Sequence, residues 1–338
     1  MIIVRPIKKS DLKALLHIAV ESGHGFTSLP VNEALLQDRI HDTEESFNKA
    51  VNIPGNESYL FVMEETTTGE VIGTSGIEAA VGLKDPFYHY HLGKVVHSSR
   101  ELNIYNTVEI LSLCNNYTGA SELCSLFLNK KYRLNNNGRF LSRFRFLFIA
   151  EHKTRFSGTI IADMRGFSDE NGRSPFWAWL EEHFFSMDFP TADYLTGIGK
   201  KAFIAELMPK HPIYVNLLSK EAQAVIDQVH PQTLPALHLL EKEGFEKRGY
   251  VDIFDAGPTV EAHVNKIRTI NKSKRCQVII GKVESTGNYI ICNSKVANFR
   301  ATQTTLSLQE KANQVVISQQ VADILLVNDG DWVRLISN

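Results

Sequence analysis

An α+β fold is predicted for this chain: a larger body of mixed strands and helices, then a smaller β-rich tail. Three observations lead there. Two strand candidates, Tyr59–Glu64 and Val71–Ala79, flank the polar tip "ETTTG", which reads as a hairpin with glycine in its turn. The run Ala120–Asn129 is largely apolar on both faces, as a central strand covered on two sides is, and a polar loop joins it to a helix candidate. From Pro258 onward, short strand candidates alternate with polar turns. At 338 residues the chain exceeds one small domain, so a body over 1–257, with an insertion at about 166–212, and a subdomain over 258–338 are expected.

Each element has its own reason. "IIVRPI" starts a strand, and Ser10 is placed to cap a helix that buries Leu12, Leu15, Leu16 and Ala19. Asn106–Asn116 has the β-branched and apolar alternation of a strand and ends in an Asn-Tyr-Thr-Gly turn. Gly138–Lys153 reads as a helix with Phe140, Leu141, Phe144, Leu147 and Phe148 on one face and Arg139 and Arg143 on another. "GTIIADMRG" is a strand, and Phe167–His211 holds a helical part, "PFWAWLEEHFFSM", whose aromatic residues packing explains. "PIYVNLL" is a strand or a turn. "SKEAQAVIDQV" and "TLPALHLLEKEGF" are amphipathic helices, the second ended by Gly244, and "EKRGYVDIFDAGPTV" returns as a strand. In the tail, "CQVIIGKV", "NYIICN" and "FRATQTTLSL" are strands, Ser318 caps a short helix, and "VNDGDWVRLIS" is a turn and final strand.

Composition narrows the function. A formal net charge of −2 argues against a general binder of nucleic acid or membrane surfaces, since nothing global attracts polyanions. The N-terminus has no signal-peptide pattern and no apolar run approaches membrane-spanning length, so a cytoplasmic chain is expected. Cys114, Cys124, Cys276 and Cys292 fit neither a zinc site nor a disulfide framework and read as reduced, buried thiols, so no metal is expected.

One loop carries chemistry. "KKYRLNNNGRF" links the doubly covered strand to a helix start, an arrangement that presents free backbone N–H groups to an anion. Gly138 allows a phosphate close to the backbone, and Asn136 and Asn137 come from the residue type that best tolerates positive φ after glycine. Lys130, Lys131, Arg133, Arg139 and Arg143 add positive potential. The same residues also fit a polar surface loop before a helix with a solvated basic face.

The pattern Arg133-x-x-Asn136-x-Gly138 resembles the Arg-x-x-Gly-x-Gly/Ala coenzyme A signature of the GNAT acyltransferase superfamily. "VRPIKKSDLKAL", "FVMEETTTGEVIGTSGI" and "TLPALHLLEKEGFEKRGYV" resemble, in order, that superfamily's first strand and helix, its second and third strands, and its last helix–strand unit. The implied fold is a mixed, mostly antiparallel sheet flanked by helices. Asn136 departs from the first glycine, Thr233 from an asparagine, and Leu240 from a tyrosine that often protonates the departing thiolate. More closely, "SELCSLFL", "SPFWAWLEEHFFSMDF", "KAFIAELMPKHPIY", "QVHPQTLPALHLLEKEGF" and "YVDIFDAGPTVEA" are similar to the bacterial arginine N-succinyltransferases.

That resemblance implies succinyl transfer from succinyl-CoA to L-arginine in arginine catabolism, giving N2-succinyl-L-arginine and coenzyme A with no permanently bound cofactor. It assigns the proton donor to the histidine of "VHPQ", His230, and an acyl-CoA contact to Leu126, with Phe127 and Leu128 beside it and Arg133, Asn136, Asn137, Gly138 and Arg139 on the coenzyme. Family members are oligomeric, so a homo-oligomer is expected. Pro231 biases His230 toward extended geometry before a helix that Thr233 is placed to cap, and a helix N-terminus favours a neutral imidazole. A mere loop or capping histidine fits the same position. For the substrates, Asp163, Glu206 and Asp193 are candidates to meet a guanidinium, and Arg165 and Lys210 to meet a succinyl carboxylate; an ordinary surface or structural ion pair is the better explanation of each. Ornithine or another amine, another acyl-CoA, and a non-catalytic acyl-CoA-binding subunit are the alternatives.

Overall fold

The computed structural model describes residues 1–23, 28–169, 172–284 and 287–338. The chain begins with β1 (Ile2–Pro6), α1 (Leu12–Ser22) and α2 (Glu33–Asn48), then the hairpin β2 (Ser58–Glu65) and β3 (Glu70–Glu78). A second, longer hairpin, β4 (His89–Ser99) and β5 (Ile104–Cys114), precedes β6 (Ser121–Leu128), α3 (Asn137–Glu151) and β7 (Thr159–Asp163). The next stretch is mainly helical: α4 (Pro175–Leu180), α5 (Phe189–Gly197), α6 (Ala202–Leu207), the short β8 (Ile213–Tyr214), α7 (Lys220–Val225) and α8 (Leu234–Glu243). β9 (Glu246–Val251), β10 (Pro258–His263) and α9 (Arg268–Lys272) follow. The tail holds β11 (Lys274–Ile280), β12 (Asn288–Asn293), β13 (Ala301–Thr305), β14 (Ser307–Gln309), β15 (Gln314–Ile317), α10 (Gln319–Leu325) and β16 (Trp332–Ser337).

Among the described residues all the strands join one sheet, in the order β14-β15-β11-β16-β12-β13-β1-β2-β3-β6-β7-β10-β9-β4-β5-β8. Pairings are antiparallel except β6 with β7 and β11 with β15. The tail extends the sheet of the body, because β13 pairs with β1 through Thr302–Ile3 and Ala301–Val4. β10, where the β-rich texture starts, is hydrogen-bonded between β7 and β9 in the body's sheet.

α3 anchors the centre. Its Phe144 and Phe148 meet Phe61 of β2 edge-on at 4.9 and 5.1 Å, and both also approach Phe299 of the tail. Burying one such ring is worth about 1.5–3 kcal/mol. The opposite face of β2 is covered by α1 and α2, whose Leu15, Ile18, Leu36 and Ile40 pack with Leu60 and Val62. The helices from α4 to α7 bury Phe176, Trp177 and Leu180 against Tyr90 and Val251 at the other side of the sheet.

Several expectations change. Ser10 does not cap α1: it lies in a 3-10 turn, Lys9–Asp11, whose Asp11 carboxylate accepts from Lys8 N–H at 2.8 Å and pairs with Arg5 at 2.7 Å. "EKRGYVDIFDAGPTV" is two strands, since Asp252–Gly257 turns the chain back on itself. "SKEAQAVIDQV" is helical only to Val225, and Asp227 leaves at φ 61°. α2 and β4 were not read from the sequence at all, although Asn32 caps α2 by accepting from Leu35 N–H at 3.2 Å.

Candidate active site

A gap in the sheet creates the site. β6 and β7 run parallel but pair only through Ser121–Ile160 and Glu122–Ile161. Beyond those residues the strands part, and a cavity of about 560 Å³ opens between them, lined by Leu123–Phe127 and by Ala162–Arg165. On its other edge β6 carries a bulge against β3, where the register jumps between Thr74–Phe127 and Gly76–Cys124. Ser125, at φ 53°, is the strained residue. The bulge is pinned: Thr74 Oγ1 donates to Ser125 O at 2.9 Å, and Arg39, paired with Glu78 at 3.1 Å, donates to Ser125 Oγ at 3.0 Å. Bulges leave backbone outside the ladder and re-aim side chains, and here Leu126 faces the cavity.

The Asn-rich loop lies at the end of β6. Asn136 is the residue before α3 and sits at φ 62°, with Asn135 at 52°, as the tolerance of asparagine for this region allows. The N–H groups of Asn135, Asn136, Gly138 and Arg139 have no acceptor among the described residues. Gly138 is helical, so its value there is space: a Cβ would find only Leu128 Cδ2, at 3.9 Å. Asn137 is committed to the loop, donating from its side chain to Tyr132 O at 3.1 Å. Arg133 lines the cavity and donates to Leu128 O at 3.0 Å. Arg143 does not join this basic surface. It is 3 % exposed and pairs with Glu243 of α8 at 3.1 Å, because its helix face turns toward α8 and α9.

The far side of the cavity is acidic. Glu122, Asp163, Asp252 and Asp255 line it. Asp163 accepts from Thr259 at 2.6 Å and pairs with fully buried His89 at 3.0 Å. Burial opposes both charges, but their mutual attraction prevails, raising His89 and lowering Asp163. The Glu122 carboxyl has no hydrogen-bond partner among the described residues, and burial with the charges of Asp163 and Glu78 pushes its pKa up to about 8. Burial and Asp163 likewise push Asp252 up to about 6. The turn carrying Asp252 and Asp255 is held against the end of β7: Asp255 accepts from Gly166 N–H at 2.7 Å and from Gly257 N–H at 2.9 Å. The approach is close enough that a Cβ on Gly257 would stand 2.2 Å from Met164 O.

His230 stands in the loop leading to α8, with its backbone N–H on Arg165 O at 2.9 Å. Its neighbours Gln232 and Thr233 line the cavity, while His230 itself is half-buried at the margin. Nδ1 accepts from Gln232 N–H at 3.2 Å, which leaves the proton of the neutral ring on Nε2. Its pKa is lowered, as expected, but by burial and the charge of Arg165. Thr233 makes no side-chain cap; Pro235 in the first turn needs no acceptor. Of the substrate-side candidates, Asp163, Asp193 and Arg165 line the cavity, and Glu206 and Lys210 do not. Cys124 also lines it, but burial and Glu78 push its thiol up to about 12, so it is no nucleophile at neutral pH. Glu122 and Arg145, unremarkable in a strand and an aromatic helix, escaped the sequence reading; both line the cavity.

The family described as arginine N-succinyltransferase beta subunit matches residues 2–269, and its C-terminal domain matches residues 274–337. The arginine N-succinyltransferase of Salmonella schwarzengrund is 47% identical over 339 residues, covering 99% of this chain and 97% of that protein. The enzyme of the same name from Escherichia coli O1:K1 / APEC is 47% identical over 338 residues, with the same coverage. The solved structure of arginine/ornithine succinyltransferase subunit AI from Pseudomonas aeruginosa superposes with a TM-score of 0.92 at 37% identity, over 100% of this chain and 98% of that one. The fold is therefore the one the sequence implied, a mixed, mostly antiparallel sheet with flanking helices and a β-rich C-terminal region, and the chain belongs to the arginine N-succinyltransferase family.

Proposed function

We propose that the chain transfers the succinyl group of succinyl-CoA to the α-amine of L-arginine, giving N2-succinyl-L-arginine and coenzyme A. The observation that carries this reading is the carboxylate-lined notch between β6 and β7, followed at the end of β6 by a loop whose N–H groups have no acceptor among the described residues, in a chain of this family. The coenzyme's pyrophosphate rests on the N–H groups around Asn136 and Gly138, flanked by Arg133 and Arg139, while Asn137 holds the loop's shape. The pantetheine enters the notch along Leu126, Phe127 and Leu128. A backbone N–H at the bulge beside Leu126 receives the oxyanion, worth roughly 3–4 kcal/mol in the transition state.

The acidic side suits a cationic acceptor. Glu122 takes the first proton from the α-ammonium, and the free amine attacks the thioester carbonyl to form a tetrahedral adduct. As the C–S bond breaks, His230 gives the sulfur its proton, and the second proton of the amine nitrogen restores the ring. No covalent enzyme intermediate forms. The Pseudomonas relative's name, arginine/ornithine succinyltransferase, favours ornithine as a second acceptor. A homo-oligomer is part of the same reading.

Nuclear magnetic resonance of the product tests the reaction. Succinylation of the α-nitrogen of arginine is expected. Coupling at the guanidinium, or no product from arginine while another amine is consumed, would overturn the assignment.

A further inference from the structure

Arg145 has no explanation in the fold. It lies on α3 about 10 Å along the axis beyond Gly138, and its residue is 1 % exposed, yet it lines the cavity. Nε donates to Ser142 O at 3.0 Å and Nη2 to Ser142 Oγ at 3.1 Å, both within its own helix. Nη1 donates to nothing among the described residues, and no carboxylate pairs with the guanidinium. The other cavity cations are placed differently. Arg39 is paired with Glu78, Arg165 lies in the field of Asp255 and Asp193, Arg133 is exposed beside the Asn-rich loop, and Lys201, a flexible point charge rather than a planar fork, is half-buried just before α6. Burial lowers the pKa of Arg145 to about 10, so it stays charged at neutral pH.

A buried guanidinium without a counter-charge is costly to a folded chain unless a ligand supplies the partner. The cavity walls shared with Arg145 include Leu126, Ala162, Met164, Ala236 and Leu240, an apolar sleeve fit for methylene groups. Its planar fork fits a carboxylate in two parallel hydrogen bonds.

Building on the succinyl-transfer reading, we propose that Arg145 receives the free carboxylate of the donor's acyl chain, so that the cavity selects the monothioester of a dicarboxylic acid over an acyl-CoA with an uncharged chain. The guanidinium is then an acyl-specificity determinant, distinct from the cradle that holds the coenzyme.

The test compares donors. Wild type, Arg145→Met and Arg145→Lys are assayed for kcat/KM with succinyl-CoA and acetyl-CoA, and each thioester's binding is measured by calorimetry without any amine. In Arg145→Met, kcat/KM for succinyl-CoA should fall by about 100-fold or more while acetyl-CoA changes by less than about threefold. Arg145→Lys should keep part of the preference. Succinyl-CoA should bind wild type more tightly than acetyl-CoA, and Arg145→Met should bind both alike. Should Arg145→Met fail to fold, the lysine variant and wild-type binding still decide. Equal losses with both donors would make Arg145 a coenzyme or structural residue, and an unchanged preference in a folded variant would refute the proposal directly. A wild type that itself prefers acetyl-CoA would instead overturn the succinyl-transfer reading.

Discussion

Replacing Glu122 by glutamine tests the base. The carboxyl lines the cavity with no hydrogen bond among the described residues, and burial with two negative neighbours raises its pKa to about 8. At pH 7 about one tenth of it would be ionised in the free enzyme. Wild-type kcat/KM should therefore rise about tenfold per pH unit below that point and level off above it. Glu122→Gln should lose about 100-fold or more at pH 8, and with it this rising limb. Stability should move the other way. A carboxyl whose pKa is raised on folding contributes stability that is complete below the unfolded value near 4.5 and is lost as pH rises through about 8. The amide cannot ionise, so the variant should melt above wild type at pH 9 and with it at pH 4. Thiol release across pH, with melting curves at both ends, reads both effects. Activity within threefold of wild type, or an unchanged pH profile, would refute the role of Glu122.

Other substitutions probe separate parts of the site. His230→Ala should lower kcat by about 100-fold or more with little change in melting temperature, because the half-buried side chain bonds only to the backbone of its own loop and of the Ser168 segment among the described residues; full turnover would remove it from the mechanism. Asn136→Val, forced to φ 62°, should cost roughly 1–2 kcal/mol and raise the KM for the CoA donor, while Asn136→Gly should be tolerated. Glu243→Leu strands the buried charge of Arg143 and should destabilise by about 3–5 kcal/mol in denaturant melts, most of it recovered in Arg143→Met/Glu243→Leu. Additive losses would show that the pair is not coupled.

The parts of the site that depend on local chemistry were legible. Asn136 was read as a residue able to replace glycine at positive φ, and it adopts φ 62°. The apolar face of α3 and the glycine that ends α8 were equally local signals, and both are present; β6 reads as covered on both faces, but its Glu122, Cys124 and Leu126 are only half-buried and line the cavity. Features that depend on distant partners were not legible. Arg143 and Arg145 sit two residues apart in an aromatic run, and nothing in that run says that one meets Glu243 while the other opens onto a cavity. Glu122 looks like any alternating strand residue until β7 brings Asp163 near it. The turn after Val251 was a missed local signal, since "DAGP" carries turn chemistry that the apolar residues around it masked.

The central claim is succinyl transfer to arginine, and the measurement that meets it most directly is coenzyme A release by the wild-type chain. Succinyl-CoA and acetyl-CoA would each be offered with L-arginine, L-ornithine and L-lysine. Release should be fastest with succinyl-CoA and arginine, slower or comparable with ornithine, and near background with acetyl-CoA. Tight binding of succinyl-CoA with no release in the presence of any amine would contradict the account and leave the notch as the binding site of a non-catalytic subunit.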